Sequence, residues 1–328
     1  MKSYPQIPGV THRQIAVGDI SLHVAEAGTG PLVILLHGFP ELWFSWRHQL
    51  PALAAAGYHA VAPDLRGYGE SDVPTAVNTY RMTALVADVV GLLDTLDSHD
   101  AILVGHDWGG RLAWQTAQAH PDRVRAVVLL GPPPPPREPV QPSATIARFA
   151  RGAFNFALAF QGPDAEKEFE ADPRSSLRRF YFALSGDAPL DLVPWLFTEK
   201  KAGSPILEGM PDPDPLPGWL SSSDLDVYAS AFATSGFRGA FNRYRNLDAD
   251  WQDGAGSVGP VFDRPVLYIG GDRDPAVRLG NLSSLTAFAP GIVRAVLLPG
   301  CGHWTQQERP SAVTREVLAF LDELRGDR

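Results

Sequence analysis

A single cysteine, Cys301, stands in a chain of 328 residues, so no intrachain disulfide can brace the fold. Such sparse cysteine usage fits a reducing compartment. Cations are also short: 28 Lys and Arg face 37 Asp and Glu, a formal net charge of −9 that argues against nucleic acid or an anionic membrane as partner. No uninterrupted apolar run approaches the length that spans a bilayer. The opening stretch Met1–Asp19 has no apolar core of the secretory-signal kind. The expectation is a soluble, cytoplasmic protein. Histidines do not cluster with carboxylates at metal-ligand spacing, so no metal or other cofactor is expected. The remaining balance, 45% apolar and 20% charged, is that of a globular enzyme with enough length for a large core.

Hydrophobic patterning then sets the organisation. Gln14–Val17 and Ile20–Val24 flank Gly18-Asp19, a hairpin signal. Short aliphatic runs follow at Leu32–Leu36, His59–Ala62, Ala101–Gly105, Ala126–Leu130, Pro265–Gly270 and Arg294–Leu298. Runs of this kind, bounded by turn residues, suit strands buried on both faces of a parallel sheet. Helical spacing appears between them, at Trp43–Gly57, Met82–Leu96, the segment ending near His120, and Pro310–Leu324. The alternation predicts an α/β fold with a mostly parallel sheet and helices on both faces. The rhythm breaks at Gly131–Pro136, read as a stiff connector, and returns only at Pro265. One α/β domain, residues 1–131 and 251–328, carrying an inserted helical lid, residues 132–250, is the simplest organisation.

The stretch Gly105-His106-Asp107-Trp108-Gly109-Gly110 has the shape of a nucleophile elbow, with Asp where Ser is usual. Asp107 can alternatively be read as a helix N-cap. Asp272 or Asp274, and then His303, also follow directly after predicted strands. The order nucleophile–acid–His is that of α/β-hydrolases. The chemistry needs each type: a carboxylate that forms an alkyl ester, a His that activates water, and an acid that orients the His.

The chain resembles the soluble α/β-hydrolase-fold epoxide hydrolases. The likeness is carried by His37–Arg47, Gly67-Tyr68-Gly69-Glu70-Ser71, Gly105–Gly110, Asn242-Arg243-Tyr244-Arg245-Asn246 and Cys301-Gly302-His303-Trp304. It implies opening of a small apolar epoxide to a vicinal diol through an ester on Asp107, cleaved by water that His303 and Asp274 activate. It further implies Tyr244 as the lid tyrosine at the epoxide oxygen, the N–H groups of Phe39 and Trp108 as oxyanion hole, and substrate contacts from Phe156, His106 and Trp304. A homodimer is compatible with it. The family carries a second lid tyrosine where this chain has Phe156, so Tyr244 acts alone, Tyr181 compensates, or the substrate is not a simple epoxide. Two other readings compete: a haloalkane or haloacetate dehalogenase using the same nucleophile, and a non-catalytic ligand-binding α/β-hydrolase. Phe39 in place of a halide donor and Trp108 in place of Arg weigh against dehalogenation. The set Asp107, Asp274, His303 and Tyr244 weighs against a mere binding module.

Overall fold

The computed structural model describes residues 4–133, 139–192, 195–254, 262–279 and 291–326. Eight strands form one sheet in the order β1-β2-β4-β3-β5-β6-β7-β8. They are β1 (Val10–Val17), β2 (Ile20–Ala27), β3 (Leu32–Leu36), β4 (His59–Pro63), β5 (Ala101–His106), β6 (Val124–Leu130), β7 (Val266–Gly271) and β8 (Ile292–Leu298). β1 and β2 pair antiparallel in a hairpin that closes with Val17 opposite Ile20, and β2 runs antiparallel to β4. All other neighbours are parallel.

Position in the sheet explains the residue choice. Every residue of β3 and β5 is buried, as continuous aliphatic runs covered on both faces must be. At the far edge, β8 alternates between half-buried and exposed positions until Leu298. Helices α1 (Gln49–Ala55), α2 (Met82–Thr95) and α3 (Trp108–Ala119) follow β3, β4 and β5. The segment expected as one helix over Trp43–Gly57 divides instead into a 3-10 turn at Trp43–Trp46 and α1. Pro51 accounts for the break: it has no N–H to offer the Arg47 carbonyl, so it is tolerated only in the first turn of a new helix.

Between β6 and β7 the chain is helical: α4 (Pro142–Ala150), α5 (Phe156–Ala159), α6 (Asp164–Ala171), α7 (Pro173–Leu184), α8 (Ser222–Ser235), α9 (Arg238–Arg245) and α10 (Leu247–Gln252). Residues 134–136 of the proline connector lie outside the described residues. Aromatic rings tie these helices to the sheet: Phe39, just past β3, meets Phe160 at 5.0 Å, Phe241 at 5.3 Å and Phe180 at 5.8 Å. Each fully buried Phe of this group contributes about 2–3 kcal/mol of burial. After β7 come α11 (Pro275–Leu279), then α12 (Thr305–Glu308) and α13 (Pro310–Gly326) beyond β8. Among the described residues no helix is long and apolar enough to cross a membrane. The loops past the C-terminal ends of β3, β5, β7 and β8 gather at one edge, where parallel sheets place their sites.

Candidate active site

Asp107 sits in the tight turn from β5 into α3 with φ +52° and ψ −118°, a conformation that L residues rarely take. Such backbone costs about 1–3 kcal/mol and persists only where the surroundings enforce it. Here they do so by close packing: a Cβ on Gly109 would lie 2.0 Å from the Leu36 carbonyl oxygen, and one on Gly105 would lie 2.3 Å from the Gly109 oxygen. The start of α3 therefore presses directly on β3 and β5. Asp107 occupies the N-cap position of α3, yet its carboxylate makes no capping bond. Instead Oδ1 accepts from the Phe39 N–H at 3.2 Å. Trp108, the first residue of α3, has an N–H with no intrahelical acceptor.

His303 reaches the same place from the loop after β8. Its Nδ1 meets Asp274 Oδ2 at 3.0 Å, and its Nε2 stands 3.9 Å from Asp107 Oδ2. Asp274 is fully buried, and its other oxygen accepts from the Ala276 N–H at 2.8 Å. Asp272, the other acid open to choice in the sequence, accepts from the Gly300 N–H at 2.8 Å and serves the turn. Burial pushes the His303 imidazole down, but the charge and hydrogen bond of Asp274, then the charge of Asp107, outweigh it and raise its pKa to about 9. Glu308 pins the loop by accepting from the N–H groups of Gly302, Trp304 and Gly186 at 2.8, 3.1 and 2.9 Å.

A fully buried network joins the two loops. His106 Nδ1 lies 2.6 Å from Glu41 Oε2, and its Nε2 lies 2.8 Å from the His303 carbonyl oxygen. Both ring nitrogens are thus within hydrogen-bond distance of an oxygen. Glu41 also accepts from the Gly38 N–H and from the amides of Gln306 and Gln307, each at 2.9 Å. Burial pushes the Glu41 carboxyl up, yet His106 and the Gly38 N–H more than offset this and hold it at about 2. Sequence reasoning gave Glu41 no role. Its partners lie up to 266 residues away in the chain, so only the folded arrangement reveals it.

Tyr244 of α9 faces this elbow. Its ring meets Trp108 at 5.1 Å, Phe39 at 5.5 Å and Phe160 at 4.8 Å. Burial, then the charge of Asp107, push the phenol well above its ordinary value, so it stays protonated; a bond with the Trp108 side chain opposes them only in part. Phe156, on α5, stands one ring further out, 5.7 Å from Phe160, and is half-buried. Two expected substrate contacts are corrected. His106 and Trp304 are both 0% exposed, His106 bonded through both nitrogens and Trp304 donating from Nε1 to the Tyr181 carbonyl at 2.7 Å, so neither presents surface to a substrate. Tyr181 is likewise sealed, its hydroxyl donating to the Pro40 carbonyl at 2.6 Å. A groove of about 730 Å³ along α5 and α6, walled by Phe154, Leu158, Lys167 and Ile206, contains none of these groups. Among the described residues, no three His, Cys, Asp or Glu side chains converge as a metal site.

Residues 31–310 match the family model for the alpha/beta hydrolase fold. The chain is 41% identical to Epoxide hydrolase A of Mycobacterium tuberculosis, over 95% of this chain and 97% of that protein. It is 36% identical to Epoxide hydrolase 3 of Siraitia grosvenorii, over 95% and 98%. Among solved structures, it is similar to an epoxide hydrolase from an endophytic Streptomyces, with a TM-score of 0.92, 44% identity and 97% of each chain covered. With the strained aspartate, its histidine and that histidine's acid on one sheet edge, these similarities place the chain in the α/β-hydrolase-fold epoxide hydrolase family.

Proposed function

We propose that this protein hydrolyses epoxides to vicinal diols through a covalent ester on Asp107. The observation that carries the reading is the disposition of the Asp107 carboxylate. Oδ1 is held by the Phe39 N–H, while Oδ2 faces His303 across 3.9 Å without bonding to it. That leaves one oxygen as the retained carbonyl and the other as nucleophile.

In the first step an Asp107 oxygen forms a bond to an epoxide carbon as the carbon–oxygen bond of the ring breaks. The departing alkoxide receives a hydrogen bond, then the proton, from the neutral Tyr244 phenol. Esterification removes the Asp107 charge, one of the influences that raise His303, so His303 releases its proton to solvent and becomes a competent base. In the second step His303 takes a proton from water, and the hydroxide attacks the carboxyl carbon of Asp107. The Phe39 and Trp108 N–H groups stabilise the resulting oxyanion. Collapse expels the second diol oxygen, which takes the proton of the new Asp107 carboxyl group; the diol leaves, and the proton held by His303 restores the Tyr244 phenol. Asp274 keeps Nε2 of His303 directed at the water. Residues 132–250, which carry α4–α9 and the start of α10, act as the lid that brings Tyr244 over the elbow, and the surrounding phenylalanines favour an apolar substrate body.

His303→Gln tests the scheme. Incubated with styrene oxide, the variant should gain the mass of one substrate on the peptide containing Asp107; absence of any adduct would count against an Asp107 ester. Halide release from a haloalkane, measured beside diol formation, addresses dehalogenation, and the expected result is diol without halide.

A further inference from the structure

Helix α9 meets the core at the loop after β4: a Cβ on Gly239 would lie 2.6 Å from the Cα of Gly67. One turn further along α9, Arg243 reaches over the Tyr68 ring, with its guanidinium carbon 5.1 Å from the centroid. That ring meets His37 edge-on at 4.8 Å, and His37 leads through Gly38 into Phe39, whose N–H holds Asp107. Gly38 is so close to the elbow that a Cβ on it would lie 2.7 Å from the Asp107 Cβ. Arg243 therefore stands next to Tyr244 along α9, and two rings behind the segment that holds Asp107.

Arg243 differs from its neighbours in lacking a counter-charge. It is 1% exposed, and among the described residues its Nε and both Nη atoms have no hydrogen-bond partner. Nearby arginines are paired: Arg245, two positions on, with Glu166 at 2.6 Å, and Arg66, beside Gly67, with Asp88 at 2.7 Å. A buried charge without a partner is costly to a fold, and such costs are tolerated chiefly where function draws on them. In surroundings of low polarity the field of this cation is also weakly screened. Burial and then the Asp107 charge push the Tyr244 phenol up, and the Arg243 charge opposes them there, as it opposes burial at Tyr68 and Tyr80.

Ring opening carries one negative charge from Asp107 to the epoxide oxygen at Tyr244. A fixed cation speeds such a step when it stands nearer the place where charge arrives than the place it leaves. Arg243 meets this condition: it adjoins Tyr244 in the chain, whereas Tyr68 and His37 separate it from the Asp107 segment. We propose that Arg243 is a positioning residue for ring opening, its unpaired guanidinium acting through Tyr244 to stabilise the charge that arrives on the epoxide oxygen. This rests on the epoxide-hydrolase reading above. The cation makes and breaks no bond; it strengthens the Tyr244 donor at a site where Phe156 supplies no second one.

The test is a single turnover of styrene oxide, enzyme in excess, by wild-type protein, Arg243→Met, Arg243→Gln and Arg243→Lys. Both neutral variants should open the ring about 10- to 100-fold more slowly, the effect of losing one weakly screened charge several ångströms away. Hydrolysis of the ester should stay within about threefold. Its base, His303, answers after burial to Asp274, Asp107 and Glu41, and its oxyanion lies at the Phe39 and Trp108 N–H groups. Arg243→Lys keeps the charge and should keep most of the ring-opening rate. Because the cation has no partner to lose, Arg243→Met should unfold at the same denaturant concentration as wild type or a higher one. In a Tyr244→Phe background, Arg243→Met should slow ring opening by less than about threefold, as expected of two groups that act as one. Neutral variants as fast as wild type, equal loss in ring opening and ester hydrolysis, a lysine variant no better than methionine, or neutral variants that fail to fold would each overturn the proposal. If wild-type protein opens styrene oxide and the neutral variants match it, this inference alone fails; if wild-type protein does not open the ring, the epoxide-hydrolase reading fails with it.

Discussion

Replacing Tyr244 with Phe removes one hydroxyl from a ring that stays packed. Trp108, Phe39 and Phe160 surround the ring at 5.1, 5.5 and 4.8 Å, and phenylalanine preserves that packing. Only the hydroxyl's bond with the Trp108 side chain disappears, so the folded state should lose about 1 kcal/mol or less. The effect on ring opening should be far larger. An alkoxide leaving a carbon needs a donor, and deleting one such preorganised donor typically costs about 3–4 kcal/mol of barrier, or about 100- to 1000-fold in rate. Neither position singled out in the sequence replaces it: Phe156 cannot donate, and the buried Tyr181 hydroxyl is committed to the Pro40 carbonyl at 2.6 Å. The assay is a single turnover with enzyme in excess, following quenching of tryptophan fluorescence as the ester forms next to Trp108. Unfolding by denaturant serves as the control for stability. A variant that folds normally and keeps more than about a tenth of the wild-type alkylation rate would refute the reasoning.

Two further perturbations follow from the geometry. Gly109→Ala would set a methyl group 2.0 Å from the Leu36 carbonyl, a backbone atom that cannot step aside, so a loss of about 3 kcal/mol together with activity is expected in denaturant titration; full activity with unchanged stability would contradict the close-packed elbow. His303, with its folded pKa raised to about 9 from an ordinary 6.5, contributes stability that is complete below 6.5 and fades as pH rises through 9. The wild-type advantage over His303→Gln should therefore shrink between those two values by an amount on the order of 3 kcal/mol, and an advantage independent of pH would contradict the charged His303.

Much of the fold was legible because the central strands are covered on both faces. Leu32–Leu36 and Ala101–Gly105 read as apolar runs because their side chains are covered on both faces of the sheet. The Gly18-Asp19 hairpin was equally plain, since a two-residue turn needs the left-handed backbone that Gly18 adopts at φ +55°. The 3-10 turn at Trp43–Trp46 was missed because periodicity weighs apolar spacing and ignores that Pro51 removes a donor. In the site, Asp107, Asp274 and His303 could be anticipated because each follows a strand, and strand ends converge. Burial could not be anticipated in the same way. His106 and Trp304 neighbour reactive residues in the chain, yet their side chains point into the core, because adjacent positions along a strand or turn face opposite ways. Glu41 was invisible for the converse reason: its meaning lies in His106, Gln306 and Gln307, residues distant in sequence that only packing assembles.

The central claim is that Asp107 becomes esterified and is regenerated by water. A single turnover in ¹⁸O-labelled water, with enzyme in excess over styrene oxide, tests it most directly. The expected result is one labelled oxygen in the peptide containing Asp107 and a diol whose new oxygen comes unlabelled from the enzyme. Label appearing in the diol on the first turnover, with none in Asp107, would contradict the covalent route.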